Sequence, residues 1–254
     1  MEEPRRWLWS PVVAAAVIGV SLIIGTVIGA GTVKYVKTFN TSLLTAVGTA
    51  TQNVTSDEVQ WDGSFNVNTM RAQLQSGYAQ MDRDKALVSA FLTKNGIPAA
   101  DVTFSPVQLQ QQFADCKFTP QFCGPGGNSL DYQLTENVRV DSGNVNLVTA
   151  VAGATTPLIN EGVVFSTQNV QYYYTKLPAL RTKLMAAATR DAQQRAQQMV
   201  AATGGRVGRL VSLTEEPFQV TPVNSAQVSN NGQYDTTTIQ KTLTAIVQAT
   251  FRLP

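Results

Sequence analysis

From Trp7 to Val33 the chain carries no charged residue. Within that run, Pro11 to Val33 reads PVVAAAVIGVSLIIGTVIGAGTV. Coiled at about 1.5 Å per residue it is roughly 35 Å long, enough to cross about 30 Å of bilayer hydrocarbon. Trp7 and Trp9 stand where an interfacial aromatic belt lies. The run predicts a transmembrane helix over 11–33, a short tail at 1–10 and a polar linker at 34–42. The basic flanks are balanced: Arg5 and Arg6 before the span, Lys34 and Lys37 after it. A short tail stays inside by default, so the N-terminus is expected in the cytoplasm and the bulk of the chain outside. The expectation is a membrane crossed once, with residues 43–254 outside it.

Gly29 and Gly31 have the spacing of a signal-peptide cleavage site, but the apolar run exceeds the usual core of about 7–15 residues. An uncleaved anchor is the better reading. Ser21, Gly25 and Gly29 recur every fourth residue, a small-residue stripe that lets two membrane helices approach closely. Glycine is also common in membrane helices for its own sake.

Composition removes several function classes from the rest of the chain. Charged residues are 14% and the net charge is +2. A nucleic-acid binder needs a concentrated basic face, which this balance does not supply. There is no histidine, so imidazole acid–base chemistry and His-bearing zinc sites are absent. Two cysteines cannot complete an all-cysteine zinc site. No catalytic set, cofactor site or metal site is expected.

Beyond the linker, strand and helix patterns alternate. Leu43–Gln52 is a strand candidate. Val59, Trp61, Gly63, Phe65 and Val67 alternate with polar residues, the period of a half-buried strand. Met70–Lys94 reads as a helix buried through Leu74, Tyr78, Met81, Leu87, Phe91 and Leu92. Asn95-Gly96 stops it and Pro98 prevents its continuation. Strands are expected at Val102–Phe113, Leu130–Asp141 and Ser166–Thr175, and a helix at Val145–Asn160. The strongest helix runs from Pro178 to Ala202, with Leu180, Leu184, Ala188, Ala192, Ala196 and Met199 on one face. Alanines make that face shallow, so the helix can lie close against a sheet. Val207–Glu215 is a strand, 217–238 an exposed polar hairpin loop, and Leu243–Phe251 a final alternating strand. The predicted class is α+β, with helices packed on largely antiparallel sheets.

Residues 181–215, RTKLMAAATRDAQQRAQQMVAATGGRVGRLVSLTE, join a long Ala-rich helix to a Gly-containing break and a strand ending in acidic residues. This stretch resembles the characteristic segment of the SIMPL-domain family. Leu43–Thr51, with Gly48, is similar to the opening strand of that family. Lys94–Val102 resembles its helix-to-strand turn, and Asp131–Val140 its tyrosine-bearing strand. The resemblance runs over about residues 43–253. It implies a bacterial cell-envelope protein, expected to cross the inner membrane once with the bulk of the chain periplasmic or extracytoplasmic, and a link to envelope or oxidative stress. One periplasmic branch forms a large hollow homo-oligomer. No catalytic residues come with it. The apparently uncleaved anchor and the cysteine pair depart from the commoner secreted pattern.

Cys116 and Cys123 are too far apart for a C-x-x-C redox motif. In an oxidising compartment they are expected to close a surface loop as a disulfide; a redox-sensing thiol pair and two unlinked cysteines are the alternatives. Asp57, Glu58 and Asp62 are the close acidic set. Two carboxylates about 5–9 Å apart can perform hydrolysis, and strand-end charges in solvent are the plainer reading. Arg181, Lys183, Arg190, Arg195, Arg206 and Arg209 follow the Ala-rich helix and its exit, as a face for lipid headgroups or an acidic subunit surface, or as ordinary solvated charge. Gly204–Gly208 follows a helix rather than preceding one, so it reads as a cap and not a phosphate loop. Tyr172–Tyr174 either stack a ligand or alternate across a sheet. Gln193, Gln194, Gln197 and Gln198 give the helix an uncharged polar surface suited to subunit contacts.

Three functions compete. The leading expectation is a membrane-anchored protein that self-assembles into a homo-oligomeric ring or cage, contacting lipid through its helix. The second is a monomeric or dimeric envelope binding module. The third is an envelope hydrolase using the carboxylates at 57–62.

Overall fold

The computed structural model describes residues 43–113, 130–225 and 231–254. The predicted membrane span with Ser21, Gly25 and Gly29, and the Cys116–Cys123 pair, lie outside the described residues. Among the described residues no helix is long and apolar enough to cross a membrane.

The elements are β1 (Leu43–Thr55), β2 (Glu58–Met70), α1 (Leu74–Lys94), β3 (Val102–Phe104), β4 (Gln108–Phe113), β5 (Leu130–Ser142), α2 (Val145–Ala152), α3 (Thr156–Asn160), β6 (Val164–Tyr173), α4 (Leu177–Ala201), β7 (Leu210–Glu215), β8 (Gln219–Pro222), β9 (Gln233–Tyr234) and β10 (Gln240–Arg252). The expected α+β class is what forms. One sheet has the order β3-β5-β2-β6, with β4 also on β5; the other has β1-β10-β8-β9, with β7 also on β10. β5 runs antiparallel to β2, β3 and β4, β2 to β6, and β10 to β7 and β8, while β8 and β9 are parallel.

The chain divides into two compact units. The larger comprises Ala50–Ala186 and Glu216–Ala245. Its core is set by the alternation in β2: Val59, Trp61 and Phe65 are buried, as their parity predicts. Met81, Val88 and Leu92 of α1 and Val148 and Val151 of α2 close over them. Trp61 meets Phe165 edge to face, with ring centroids 5.9 Å apart.

The smaller unit comprises the described residues up to Thr49, Ala187–Glu215 and Ile246–Pro254. Its core is a small cluster of Ala46, Ala192, Ala196, Ala249 and Phe251. The α4 stripe is a strict every-fourth ridge of Leu180, Leu184, Ala188, Ala192, Ala196 and Val200, all buried. Methyl-sized residues let the helix axis approach the strands, at the cost of little apolar area buried per residue.

The structure departs from the sequence expectation in five places. The strand expected at 102–113 is two, parted at Ser105–Val107, where Pro106 cannot donate a ladder hydrogen bond. The helix expected at 145–160 is α2 and α3, separated at Gly153–Thr155 with Pro157 in the first turn of α3. Tyr78 is exposed while Gly77 and Asp84 are buried, because α1 turns a slightly different face inward. Met199 is exposed and Val200 takes its place, since the ridge keeps its four-residue step. The supposed loop at 217–238 holds two strands. β8 is buried through Val220 and through Gln219 and Thr221, two polar residues that hydropathy alone assigns to solvent.

Candidate functional site

Strand β7, sequence LVSLTE, is the most exposed strand of the smaller unit: all six of its residues face solvent. Among the described residues it pairs with β10 alone. Its ladder runs from Val247 opposite Glu215 to Phe251 opposite Leu210, with a register shift between Thr250 and Phe251. Directly opposed residues point to the same side of a sheet, so Leu213 shares the face of Ala249. That face packs on Ala192 and Ala196, yet the cluster takes in no β7 residue. Leu213 is left 48% exposed, with Leu210 and Val211 similar. On the opposite strand of the same unit, Leu43 and Val47 of β1 are exposed as well. An open backbone edge with apolar side chains is what a soluble monomer normally blunts with charge, proline or a covering segment.

The two carboxylate-bearing clusters of the larger unit are built for structure. Lys241 continues the buried parity of β10 ahead of Leu243 and Ala245, and its side chain is sealed from solvent. Its Nζ donates to the Asp235 carbonyl at 2.7 Å and to Asp235 Oδ2 at 3.2 Å. Asp235 Oδ1 also accepts from the Thr237 amide at 2.9 Å and the Thr237 hydroxyl at 2.7 Å, and Oδ2 accepts from the Thr238 hydroxyl. Burial pushes the Asp235 carboxyl up, but the bonds from Thr238, Thr237 and Lys241 outweigh it and hold it far below the usual carboxylate range. Burial pulls Lys241 down, and the Asp235 bond and charge restore it only in part. The charged pair is the form this site stabilises, because Asp235 has three donors besides Lys241.

The second cluster joins α1 to β5. Glu136 follows the buried parity of Leu134, Val138 and Val140, and its Oε1 accepts from Lys85 Nζ at 2.6 Å. The same ammonium lies 4.8 Å from the centre of the Phe104 ring, a cation–π contact. Asp84, next in the chain, is buried, and burial raises its carboxyl against the opposing Gln80 hydrogen bond and Arg83 charge. Neither cluster was singled out in the sequence. The signal was there: a Lys and a Glu each occupy the inward parity of a strong strand.

The acidic set at 57–62 is dispersed. Asp57 binds the start of α4, accepting from the Thr175 amide at 2.7 Å and hydroxyl at 3.0 Å, with Lys176 Nζ at 3.8 Å. Glu58 stands opposite Tyr173. Asp62 accepts from Arg139 Nε at 2.7 Å. Four strand residues at about 3.3 Å each place the Asp62 backbone roughly 13 Å from that of Glu58.

Arg181, Lys183, Arg190, Arg195, Arg206 and Arg209 are all exposed. Arg195 pairs with Asp191 at 2.7 Å, and Asp191 also accepts from the Thr49 amide at 2.8 Å, which lowers its carboxyl. Arg181 lies over the Phe218 ring. Tyr172 is buried with its hydroxyl 3.1 Å from that of Thr149, while Tyr173 and Tyr174 are half-buried. Tyr172 and Tyr173 end β6, and Tyr174 lies just beyond it. Gly204, at a φ of 75°, ends α4 with its amide on Ala201 O, while the Gly205 amide bonds Val200 O. The segment is a helix stop. Among the described residues, no group of three or more metal-ligating side chains comes together.

A family model described as SIMPL, protein of unknown function (DUF541), matches residues 44–251. No curated protein matches the chain. Among solved structures, the chain is similar to a hydantoinase/carbamoylase family amidase from Burkholderia ambifaria, at 11% identity and a TM-score of 0.24, over 53% of this chain and 34% of that one. It is also similar to the de novo designed protein Foldit4, at 10% identity and a TM-score of 0.18, over 44% of this chain and 94% of that one. The chain thus spans about a third of the amidase, and likenesses this slight assign neither fold nor activity.

Proposed function

The chain belongs to the SIMPL family (DUF541), and from that membership we propose a membrane-anchored cell-envelope protein that self-assembles through its folded region into a homo-oligomeric ring or cage. Its role is structural, in the maintenance of the envelope or its response to stress. The apolar run at 11–33 is the anchor, and residues 43–254 stand outside the membrane. The observation that carries the reading is β7, an exposed strand with Leu210, Val211 and Leu213 at its surface and β10 as its sole described partner.

Pairing of such an edge with another strand supplies main-chain hydrogen bonds, and the exposed side chains supply apolar area. A second copy is the natural partner. A net charge of +2 gives copies little mutual repulsion. β7 against β7 produces a two-fold dimer; β7 against a different edge of the next copy closes into a ring. The variants Val211→Lys and Leu213→Lys test this. Both positions are exposed, so folding tolerates the change, while a lysine on the edge opposes strand addition. In mild detergent each is expected to give a smaller particle than the parent chain. Particles of unchanged mass in both would show that β7 is not the contact.

A further inference from the structure

Helices α1 and α3 flank a cleft of about 280 Å³, lined by Leu87, Phe91, Lys94, Pro157, Leu158 and Glu161 among others. Its floor is apolar: Leu158 is buried, and Leu87 and Phe91 are half-buried. Its mouth is charged, because Lys94 and Glu161 are both exposed. The cleft follows from how the two helices stop. Asn95 turns back on α1, its amide and its Nδ2 both donating to Phe91 O, and Gly96 then leaves in the left-handed region. At the end of α3 the Glu161 amide donates to Pro157 O and Leu158 O, and Gly162 is again left-handed.

Neither charge is neutralised among the described residues. Lys94 and Glu161 form no ion pair with each other or with any other described residue. Glu161 moreover sits at the C-terminal end of a helix, the pole that disfavours a carboxylate. An exposed cation and an exposed anion over one apolar floor select by charge. A simple cation meets Lys94, a simple anion meets Glu161, and a molecule with both charges meets neither penalty. The volume lies just under the roughly 300–1,000 Å³ of ligand pockets, which suits a single small molecule.

We propose that this cleft binds a free hydrophobic α-amino acid, its ammonium on Glu161, its carboxylate on Lys94 and its side chain against Phe91 and Leu158. The site is independent of the assembly contact, since none of its residues lies on β7.

The test is calorimetric titration of the full-length protein in mild detergent with L-phenylalanine, L-phenylalaninamide and N-acetyl-L-phenylalanine. The free amino acid is expected to saturate one site per chain. Each blocked analogue loses one charge contact and is expected to bind roughly tenfold more weakly. In Glu161→Gln the preference for phenylalanine over its N-acetyl form disappears; in Lys94→Gln the preference over the amide disappears. Both side chains are exposed, and an unchanged thermal midpoint confirms that each variant folds. Absence of saturable binding by the parent chain, or wild-type affinity and selectivity in both variants, overturns the proposal.

Discussion

Gly48 lies against the backbone of Ala192. A Cβ at position 48 would stand 2.3 Å from the Ala192 amide nitrogen and 2.1 Å from the Ala188 carbonyl oxygen. The neighbours are helix backbone, which cannot rotate away as a side chain can. The close approach explains the three alanines on the α4 ridge and the glycine facing them as one device. Gly48→Ala is therefore expected to push α4 off the strands and to lower stability by about 1–3 kcal/mol, the usual cost of overpacking. Urea unfolding measures this. A midpoint equal to that of the parent chain would show that the helix has room to shift.

The Lys241–Asp235 pair is expected to be the costliest polar contact to break. Lys241→Met leaves the Asp235 carboxylate with its threonine donors but without its buried counter-charge. The expected loss is about 3–5 kcal/mol, the range for removing one partner of a buried pair. Chemical denaturation at neutral pH checks it, and a loss under 1 kcal/mol would mean that the threonines suffice.

The same site gives the fold an acid dependence with a definite sign. Asp235 is held below its unfolded value, so folding favours the ionised form. The stability this supplies is complete above the unfolded pKa of about 4 and is lost as pH falls toward the folded value. Unfolding free energy measured between pH 6 and pH 3 is expected to fall in the parent chain and to fall less steeply in Asp235→Asn. Identical slopes would exclude Asp235 as a contributor.

Cys116 and Cys123 are expected to be joined once the chain reaches an oxidising compartment. Mass spectrometry of an unreduced digest should recover the peptides cross-linked. Cys116→Ser with Cys123→Ser is expected to lower stability by roughly 2–3 kcal/mol, the chain-entropy estimate for so short a loop. Two alkylated thiols in protein isolated without reductant would contradict the pairing.

Much of the architecture was legible because strand and helix periods are strong where one face is buried. The parity of Val59, Trp61 and Phe65 and the four-residue ridge from Leu180 to Ala196 predict β2 and α4 within a few residues. What escaped was polar burial. Gln219 and Thr221 read as loop, and Lys241 and Glu136 did not stand out, because hydropathy cannot show that a partner waits across the fold. The same blindness applied to the acidic set, where Asp57 is drawn to Thr175 and Lys176 and Asp62 to Arg139. β7 was predicted as a strand, but its exposure was not, since LVSLTE has the residues of a buried one. The Lys94–Glu161 cleft depends on two helix ends far apart in the chain, and no local pattern announces it.

Self-assembly is the central claim, and particle mass tests it most directly. Light scattering of the full-length protein in mild detergent, with the detergent mass subtracted, is expected to give one discrete species of many subunits. A mass of one or two subunits, constant across concentration and detergent, would contradict the assembly and leave a tethered binding module in its place.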